Sequence, residues 1–541
     1  MKRIGVLVDD LKMRSWQKKI LQHILDHNEL ELSVLIINKN ESVTSNSGII
    51  YRLFQAVDRK IFKVANDAFL IKDIELNPTL PTVGINGIET RFSYRFSEED
   101  VIGIKELNLD VLIRFGFGIL KGAILDAAKY GVWSLHHGDN KINRGGPPGF
   151  WEVVNKEFIT GVTLQRLSSD LDGGIVIDKS FTKTNFTSFN RNKNEVFWSG
   201  VELFNSALDN LASGKLETIA SLNRNKERFY SMPLYKNPQN SAALKIHFSF
   251  WIRRIKEVTE EFLNPPQWFL LYKFKKHNEI ETSVFRYKKL IPPKGYDWAD
   301  PFVVEINEKG FYLFFEELNI KRRIGHINYL HFNMAGELLS TVPKKVVEEK
   351  HHLSYPFIFK ENNSFYMIPE SASSGELWLY KCTDFPDEWE KEKRIFKDKP
   401  FYDATLLKHK DHYYLFGTEK VIAESSRDQY LFIYFSKDLL GDTWLPHPSN
   451  PIYRDVRRSR PAGRIFNLGG KLVRPSQIGA PKYGYGIQFN EIITLSPTEF
   501  EEIRFEQILP YWEKNLLATH TFNSVGGFTV LDSQGVINKK S

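Results

Sequence analysis

One short pattern of strand, polar turn and aromatic strand returns five times in the second half of this sequence. Its copies open at Asp300, Tyr355, Asp403, Gly463 and His520, and the last two are weaker than the others. The spacing between copies is close to the ~40–50 residues of known propeller blades. A β-sandwich gives no reason to place one motif five times at such intervals. The repeats therefore predict a five-bladed β-propeller.

The first part of the chain alternates short apolar runs with helical patterns. The helix-like WQKKILQHILDHN lies between IGVLV (4–8) and LSVLIIN (32–38), and Gly131 ends a later helix just before VWSLHH. This alternation indicates a doubly wound parallel sheet, which holds its ligands at the carboxyl ends of its strands. We therefore expect an α/β Rossmann-like domain followed by an all-β propeller.

Three regions are expected along the chain. The α/β domain covers residues 1–185, a helical appendage and linker covers 186–263, and the propeller covers 264–541. The most membrane-like segment, residues 248–274, carries charges and a Pro-Pro pair. We therefore predict a core-packed helix followed by a strand in that segment, rather than a membrane anchor.

Composition narrows the classes of function. Cys382 is the only cysteine among 541 residues, which argues against a disulfide framework and a thiolate metal cluster. A net charge of +7 over this length is a weak argument for a nucleic-acid or anionic-membrane partner. The opening MKRIGVLVDD is too short an apolar run for a signal peptide or a membrane span. We expect a cytoplasmic protein with no transmembrane segment, no nucleic-acid partner and no bound metal.

A polar loop follows the apolar run at VWSLHH. It places His136, Asn140 and Arg144 beside Gly145, and a tight turn at Asp172 lies between two later apolar strands. A histidine and a carboxylate from separate turns are what a proton-shuttling acyl transfer needs. The alternative is a loop histidine and a turn-forming aspartate, which on composition alone is the commoner case.

The spacing of the motifs resembles that of the folate-dependent formyltransferases. Their hallmark is Asn-x-His after an apolar strand, followed by Arg-Gly and Pro, a Gly-Val-Thr strand and a Leu-Asp-x-Gly turn. Residues 134–136, 144–148, 161–163 and 171–174 occupy those places here. Upstream, a stretch is similar to the family loop that contacts the pterin, and the resemblance assigns cofactor contacts to Phe115, Gly116, Phe117, Gly118 and Leu120.

The resemblance implies formyl transfer from N10-formyltetrahydrofolate to a primary amine. In that case His136 polarises the formyl oxygen or moves the amine proton, with Asp172 as its partner. Arg144 and Gly145 would contact the substrate.

Ser134 departs from the family pattern, which has asparagine at this place. A hydroxyl donates one hydrogen bond and reaches less far than an amide. Three outcomes stay open: Asn140 or Asn143 supplies the missing donor, or transfer is weakened, or the domain keeps its fold and loses its chemistry. The loss of one oxyanion donor costs about 2.7–4 kcal/mol.

The repeats are similar to the five-bladed propellers of arabinanases and β-fructosidases. They are closer to the domain found beside the glycosyltransferase in plant glucosamine inositolphosphorylceramide transferase, on pieces such as ADPF (299–302), HLSYPFIF (352–359), IPES (368–371), YDATL (402–406) and HTFNSVGG (520–527). In the hydrolases of this shape, carboxylates around the axis act as acid and base on a glycosidic bond. The resemblance implies a glycan site at Asp300, Glu370 and Asp403.

Other roles for these charged residues stay open. Asp300 and Asp403 could satisfy backbone donors at blade turns. Arg460, Arg464 and Arg474 would either clamp a phosphate or form structural ion pairs, and ion pairs are the simpler interpretation.

We expect N-formylation of an amino sugar, nucleotide- or lipid-linked, during surface-polysaccharide assembly, with a glycan bound at the propeller. Two alternatives belong to other classes. The chain could be a glycoside hydrolase or transferase with an inactive formyltransferase scaffold, or a non-catalytic glycan-binding protein. Folate binding distinguishes the first hypothesis from both.

Overall fold

The computed structural model describes residues 1–40, 47–72, 80–90, 93–142, 144–169, 173–215, 234–275, 284, 286–422 and 426–536. Its internal contacts divide the chain into two compact units. The first contains residues 1–254 with 422–425, and the second contains residues 255–421 with 426–541.

A seven-stranded sheet forms the centre of the first unit. Its strands are β1 (Lys2–Val8), β2 (Leu30–Asn38), β3 (Thr82–Ile85), β4 (Val111–Arg114), β5 (Val132–His136), β6 (Ile159–Arg166) and β7 (Ile175–Lys183). They lie in the order β7-β6-β5-β4-β1-β2-β3, with β1 to β5 parallel and β6 and β7 antiparallel to their neighbours. The strand order reverses between β1 and β4, and sheets of this kind bind ligands at the carboxyl ends of strands beside such a point.

Six α-helices accompany the sheet within the described residues. They are α1 (Ser15–Asp26), α2 (Ile49–Ile61), α3 (Glu98–Glu106), α4 (Trp151–Asn155), α5 (Phe189–Ala212) and α6 (Asn240–Leu263). A 3₁₀ turn covers Ala123–Asp126, and two-residue strands pair Met13–Arg14 with Ile71–Lys72, Ile88–Glu89 with Tyr94–Arg95, and Arg144–Gly145 with Leu234–Tyr235. Side chains of β1, β4 and β5 alternate between two apolar cores, because successive residues of a strand point to opposite faces.

Helix α5 lies in the core of the first unit, although the sequence predicts an appendage and linker from residue 186 onward. Sixteen of its 24 residues are buried, and its apolar side chains share one cluster with α1 and the sheet. The asparagines that make its start look like a loop satisfy buried backbone groups instead. Asn192 Nδ2 donates to the carbonyl of Gly149 (2.7 Å), and Asn194 Oδ1 accepts from the amide of Ala68 (2.7 Å).

Helix α6 differs from the core-packed helix that its sequence predicts. Its buried residues are Ala243, His247 and Phe250, whereas Phe248 and Phe262 are 68% and 84% exposed. The predicted helix and the strand after it, Gln267–Phe274, are present. The predicted core packing was wrong because the apolar residues of α6 lie on more than one side of the helix and a single side is covered. Within the described residues, no helix contains an apolar stretch long enough to cross a membrane.

Five antiparallel sheets form the second unit. Blade 1 contains Tyr296–Ile306, Gly310–Asn319, Ile324–Phe332 and Lys344–Val347; blade 2 contains Ser354–Glu361, Ser364–Glu370, Leu377–Asp384 and Glu388–Phe396. Blade 3 contains Phe401–His409, His412–Glu419, Tyr430–Ser436, Leu445–Pro446 and Tyr453–Arg454; blade 4 contains Phe466–Leu468, Lys471–Ile478, Gly486–Leu495 and Phe500–Ile508. Blade 5 pairs Gln267–Phe274 with Phe528–Gly535 and adds Lys288–Leu290, Leu516–Ala518 and Phe522–Val525. The predicted five-bladed propeller is confirmed.

The motif that repeats in the sequence is a bulge in the first strand of blades 1, 2 and 3. Asp300, Tyr355 and Asp403 have φ of 52°, 43° and 50°, and the strand register shifts around each of them. Gly463 has the corresponding place before blade 4, where a Cβ would lie 2.0 Å from the carbonyl oxygen of Phe522. A left-handed backbone costs a non-glycine residue roughly 1–2 kcal/mol, so the surroundings must hold these residues.

Candidate functional site

Strand β5 ends at two adjacent histidines that point to opposite faces of the sheet. His137 is half-buried, with its ring stacked on Phe197 (3.6 Å between centroids) and edge-on to Trp16 (5.7 Å). Burial lowers the pKa of His137 well below its ordinary value, and the charges of His136 and Lys193 add to that effect. His136 faces a cavity instead. This division favours His136 over His137 as the histidine that a ligand reaches.

The cavity that His136 faces lies at the carboxyl ends of β4 and β5 and has a volume of about 100 Å³. Its lining consists of Arg114, Ile119, Leu120, Lys121, Leu135, His136, Gln165, Leu167, Ser168 and Ser169. Gln165 lies on β6 directly opposite Ser134, and its buried Oε1 has no hydrogen-bond partner among the described residues. A buried acceptor without a partner costs about 1–3 kcal/mol, so this atom marks a place where a ligand N–H or O–H would bind.

Arg114 fills the space beside Ser134. It ends β4, and its Nε and Nη2 atoms donate to Ser134 Oγ at 3.0 and 2.9 Å, while Nη1 donates to the carbonyl of Gly118. Ser134 is 1% exposed, and two guanidinium N–H groups occupy its acceptor sites. Burial lowers the pKa of Arg114 and the Asp9 carboxylate opposes the shift, but arginine stays cationic at neutral pH. The group that lines the cavity at this place is therefore a guanidinium.

Sequence reasoning missed both Arg114 and Gln165. The signal for the first was a single arginine ending the apolar strand VLIR, 20 residues before Ser134. Neither residue belongs to a motif, and the sheet order alone brings them to the histidine, because β4 and β6 flank β5.

The first unit contains further residues that the sequence assigns to catalysis or substrate binding. Asp172 and Asn143 are outside the described residues. Asn140 is buried, and its Oδ1 has no hydrogen-bond partner among the residues that the structure describes. Arg144 and Gly145 form a two-residue strand of their own. Among the described residues, the lining of the cavity includes none of these.

In the loop that the sequence assigns to the pterin, some residues pack in the apolar cores and one lines the cavity. Phe117 packs in one apolar core of the first unit, and Phe115 lies against the other. Gly116 is buried, and Gly118 has φ of 54°, a conformation that glycine adopts without strain. Leu120 lines the cavity. The aromatic rings of this loop therefore stabilise the sheet, and its aliphatic end faces the site.

Cationic side chains gather around Phe69 in the first unit. Lys193 Nζ lies 4.0 Å from the Phe69 ring centroid, and Arg14 Cζ lies 5.6 Å from it. Burial lowers the pKa of Lys193 to about 8, with the charges of Arg14 and Arg59 adding to the shift and Asp67 opposing it. Because like charges repel one another here, the group favours an anion such as phosphate.

Hydrogen bonds between blades, one of them between blades 2 and 4, which are not neighbours, mark the propeller axis. The Tyr355 hydroxyl, in blade 2, is 2.8 Å from Thr405 Oγ1 in blade 3 and accepts from the amide of Gly463 before blade 4 (2.8 Å). Thr521, beside blade 5, donates to Asp300 Oδ1 in blade 1 (2.7 Å). Asp300 and Tyr355 therefore lie at the centre of the propeller.

Asp300 is tied to both of its neighbouring blades. Its Oδ2 accepts from the Tyr355 amide (3.3 Å), and its own amide donates to Asp532 Oδ2 (3.1 Å). Asp532 also accepts from His520 Nδ1 (2.5 Å) and from the amides of His520 (2.8 Å) and Thr521 (3.0 Å). Asp300, His520 and Asp532 present ligand atoms within 4.8 Å of one another, but Asp532 already accepts four N–H groups, so a cation would have to displace them. Burial raises the pKa of Asp300 to about 6.

Arg460 binds three carboxylates at the same axis. Its Nε and Nη2 donate to Asp403 (2.5 and 3.0 Å), Nη2 also donates to Glu370 (3.1 Å), and Nη1 donates to Asp428 (2.6 Å). Gln477 Nε2 donates to Asp403 as well (2.8 Å). Burial alone would raise the pKa of Asp403, but Arg460 holds it below its ordinary value. Burial and the charge of Asp403 raise the pKa of Glu370 well above its ordinary value.

Half-buried aromatic rings lie beside this polar network. Arg460 Cζ is 5.6 Å from the Tyr402 ring centroid and 5.1 Å from that of Tyr483. Trp268 stacks on His520, with 4.3 Å between the centroids. The axis thus combines buried charges with ring faces on which another ring can stack.

The remaining two arginines stabilise the propeller rather than its axial acids. Arg474 donates to both carboxylate oxygens of Glu502 at 2.7 Å, and both side chains are buried. Arg464 Nη2 donates to the carbonyl of Ile358 (2.5 Å), and burial lowers its pKa to about 10. The contacts of Arg474 therefore support its role in a structural ion pair.

The second unit matches a family of known sequences. The family model described as glucosamine inositolphosphorylceramide transferase 1, N-terminal, matches residues 293–524. Glucosamine inositolphosphorylceramide transferase 1 of Arabidopsis thaliana is 36% identical over 210 residues, which are 38% of this chain and 26% of that protein. The chain thus spans about a quarter of the length of this relative.

A different set of relatives consists of methionyl-tRNA formyltransferases. That of Citrifermentans bemidjiense is 33% identical over 120 residues, which are 22% of this chain and 38% of that protein. A solved structure, the N-formyltransferase from Helicobacter canadensis in complex with folinic acid and dTDP-3-aminofucose, has 13% identity and a TM-score of 0.29, and the match covers 64% of this chain and 99% of that one. The relatives confirm both resemblances: the chain combines a formyltransferase-like α/β unit with a five-bladed propeller similar to the plant transferase domain.

Proposed function

We propose that the first unit transfers a formyl group from N10-formyltetrahydrofolate to the amine of an amino sugar. The observation that carries the proposal is the convergence of His136, Arg114 and Gln165 Oε1, which has no partner among the described residues, on one cavity. Acyl transfer to an amine needs a base, a fixed cation and a hydrogen-bond acceptor that is available to the substrate. The methionyl-tRNA formyltransferases among the relatives support formyl as the transferred group.

The folate donor supplies a carbonyl carbon that an amine nitrogen attacks. Arg114 would face the carbonyl oxygen as that atom gains negative charge, and a guanidinium already held by Ser134 and Gly118 needs no rearrangement to do so. His136 would take the proton that the amine nitrogen gives up and pass it to the nitrogen that leaves. Gln165 Oε1 would accept an N–H of the same amine and orient its lone pair.

The volume of the cavity limits which part of N10-formyltetrahydrofolate it can hold. About 100 Å³ is enough for the reacting groups, whereas sites for drug-sized ligands are roughly 300–1,000 Å³. The rest of the donor would therefore lie outside the cavity, over the exposed Ile119.

The substrate is proposed to carry phosphate, as a nucleotide- or lipid-linked amino sugar in surface-polysaccharide assembly does. The support is the cationic group of Lys193, Arg14 and Arg59, which repel one another and would be neutralised by a phosphate. The presence of a propeller similar to a domain of the plant glucosamine inositolphosphorylceramide transferase supports a sugar over a tRNA as acceptor.

We also propose that the propeller axis binds a glycan. Tyr402 and Tyr483 offer stacking faces beside Glu370, whose raised pKa favours the protonated form. Hydrolysis is the second candidate, because one raised and one lowered carboxyl pKa, at Glu370 and Asp403, is the pattern of an acid and base pair. Glycan binding is favoured over hydrolysis, because Arg460 and Gln477 already donate hydrogen bonds to the Asp403 carboxylate.

The proposal is tested with full-length protein, N10-formyltetrahydrofolate and a panel of nucleotide-linked amino sugars. Mass spectrometry should detect the addition of one formyl group to at least one sugar, and to none of the matched sugars that carry a hydroxyl in place of the amine. Protein that neither binds the folate nor formylates any sugar would contradict the proposal. Cleavage of a glycan by the same preparation would favour the hydrolase instead.

A further inference from the structure

Helix α2 and the first part of α6 lie side by side in the first unit. Asn240 Oδ1, at the start of α6, accepts from the amide of Ile50 (3.1 Å). Four residues farther along α2, the Phe54 ring stacks on His247 of α6, with 4.2 Å between the centroids. Because these contacts follow the same order along both helices, the two helices run parallel.

An apolar surface borders the contact between the two helices. It consists of seven exposed side chains, spaced by four residues on each helix: Ile49, Leu53, Val57 and Ile61 on α2, and Leu244, Phe248 and Ile252 on α6. At about 100° per residue, Val57 lies roughly 60° from Phe54 around α2. Leu244 lies at the same angle, roughly 60°, from His247 around α6. Soluble proteins rarely leave so many neighbouring apolar side chains uncovered unless something binds them.

The exposed charges of the two helix segments are all positive. Residues 48–63 contain a single acid, Asp58, which is buried and accepts from Ser188 Oγ (2.8 Å). Residues 240–254, the part of α6 that belongs to the first unit, contain no acid, and the acids of this helix begin at Glu257. The exposed bases, which form no ion pair among the described residues, are Arg52, Arg59, Lys60, Lys63 and Lys245.

We propose that the first unit docks on an anionic lipid surface through α2 and the first part of α6. Helices that lie in the interface of a bilayer combine apolar side chains with Lys and Arg, and bury their apolar side about 5–10 Å deep. Anionic headgroups attract bases next to that side. Phe248 and Ile252, which the sequence places in a core, would contact the lipid instead.

Other occupants fit this surface less well. A second copy of the chain would bring its own bases against these bases, and like charges across an interface repel each other. A nucleic acid would attract the bases, but contacts to its phosphates come from charged and polar groups and leave the seven apolar side chains in water. A lipid surface supplies both an apolar layer and negative charge.

Membrane docking goes beyond the proposed formyl transfer and bears on its acceptor. A lipid-linked amino sugar is held at a membrane, so docking would favour it over a nucleotide-linked sugar. Vesicle binding requires neither folate nor sugar, so a failure of docking and a failure of formyl transfer are observed in separate experiments.

The test is co-sedimentation of the full-length protein with phosphatidylglycerol vesicles and with phosphatidylcholine vesicles. The parent should bind the anionic vesicles more tightly, and salt should weaken that binding by screening the bases. Leu53→Asp and Phe248→Asp should each lower the partition coefficient at least tenfold, because an apolar side chain that leaves water is replaced by a charge that the headgroups repel. Ile102→Asp, on α3, is the matched control: Ile102 is 58% exposed and Leu53 61%, and this variant should bind as the parent does.

A second pair of variants measures the contribution of the bases. Lys60→Gln/Lys63→Gln should weaken binding by roughly 30-fold, at about fivefold for each base near an anionic surface. Lys105→Gln/Lys129→Gln changes the net charge by the same amount at exposed positions elsewhere in the first unit, and should retain binding.

A parent that binds neither kind of vesicle, or binds both equally, would overturn the proposal, and RNA binding by such a protein would assign the bases to a nucleic acid. Folded Leu53→Asp and Phe248→Asp proteins, checked by circular dichroism, that bind as well as Ile102→Asp would also refute it. A parent dimer that Leu53→Asp dissociates in light scattering would assign the surface to a second copy of the chain instead.

Discussion

The cavity of the first unit and the axis of the propeller differ in how their charged side chains are paired. At the cavity of the first unit, Gln165 Oε1 lacks a hydrogen-bond partner among the described residues, and Arg114 faces the same space. At the propeller axis, Arg460, Asp403 and Asp300 belong to a network of hydrogen bonds that joins the blades. Polar groups without partners favour a ligand, whereas paired charges that join blades behave as part of the fold. At the axis, Gln477 Oε1 lacks a partner among the described residues although Gln477 Nε2 donates to Asp403.

We infer from this difference that the two units have different roles. A reacting molecule can supply the contacts that the first cavity lacks, so the chemistry is proposed there. A glycan at the propeller would have to bind beside the network, on Tyr402 and Tyr483, rather than replace its hydrogen bonds. Substitutions in both units test this division.

Replacing His136 by Ala should reduce formyl transfer by about 10²–10⁴-fold, because general base catalysis contributes that much. Folate affinity should change little, which an equilibrium binding measurement would check. In the double variant His136→Ala/Asp172→Ala the loss should hardly grow, since the two residues are expected to act as one unit. Transfer at the parent rate by the His136→Ala protein would rule out the assignment.

Replacing Arg460 by Met should lower the free energy of unfolding by about 3–5 kcal/mol, because it leaves buried carboxylates without their cation. Urea denaturation measures this loss. Arg457→Met is the matched control: Arg457 pairs with Asp455 at an exposed position, and surface pairs of this kind contribute about 0–1 kcal/mol. Equal losses in the two variants would show that the axial network is not a structural element.

Replacing Arg114 by Met should slow transfer by about 10²–10³-fold, the effect of removing one oxyanion donor. Ser134→Ala should have a smaller effect, because Ser134 Oγ accepts from Arg114 and only positions it. Asn140→Ala should be close to silent. If Ser134→Ala or Asn140→Ala is the most harmful change of the three in single-turnover measurements, that residue, and not Arg114, is the donor.

Replacing Asp300 by Asn should flatten the pH dependence of stability. The pKa of Asp300 is raised to about 6 in the folded protein, against about 3.9 in an unfolded chain. The folded state therefore holds a proton that the unfolded state has lost, so this stabilisation is present below about pH 4 and is lost as the pH rises to about 6. The difference between parent and variant should be on the order of 2 kcal/mol across that window.

Asparagine is the suitable replacement because it tolerates the positive φ of this position. Unfolding curves at several pH values measure the effect. Parallel curves for parent and Asp300→Asn would mean that Asp300 is ionised throughout the window.

Replacing Tyr402 by Ala should weaken glycan binding by up to about tenfold, because it removes one of the two stacking faces. Titration calorimetry of the full-length protein with amino-sugar glycans measures this affinity, and Asp411→Ala, on an exposed turn of blade 3, is the control. If the folded protein binds none of the glycans, the propeller serves as a scaffold.

The propeller could be predicted from the sequence because the same backbone geometry recurs in several blades. Asp300, Tyr355 and Asp403 each open a bulge with positive φ, so each copy needs the same neighbouring residues and leaves the same pattern. Helix α5 was harder to place, because Asn192 and Asn194 look like loop residues until their buried backbone partners are known.

The sequence predicted the part of the cavity at the end of strand β5, but not the parts that the neighbouring strands contribute. The motif around His136 follows from spacing, but Arg114 and Gln165 reach the site from neighbouring strands, and strand order is a tertiary property. The aromatic loop was misleading for a related reason. Phe117 looks like a ligand contact in sequence, and its ring is buried in a core instead.

The way blade 5 is assembled has a consequence for the synthesis of the protein. Leu271 and Leu531 are partners in the ladder that joins both ends of the propeller, and they lie 260 residues apart. A ribosome that adds about 5–20 residues per second needs roughly 13–50 s to produce the second strand after the first. Throughout that interval Gln267–Phe274 has an open edge, the kind of surface on which nascent chains aggregate. Production of this protein should therefore depend on chaperones that shield this strand until translation reaches its partner.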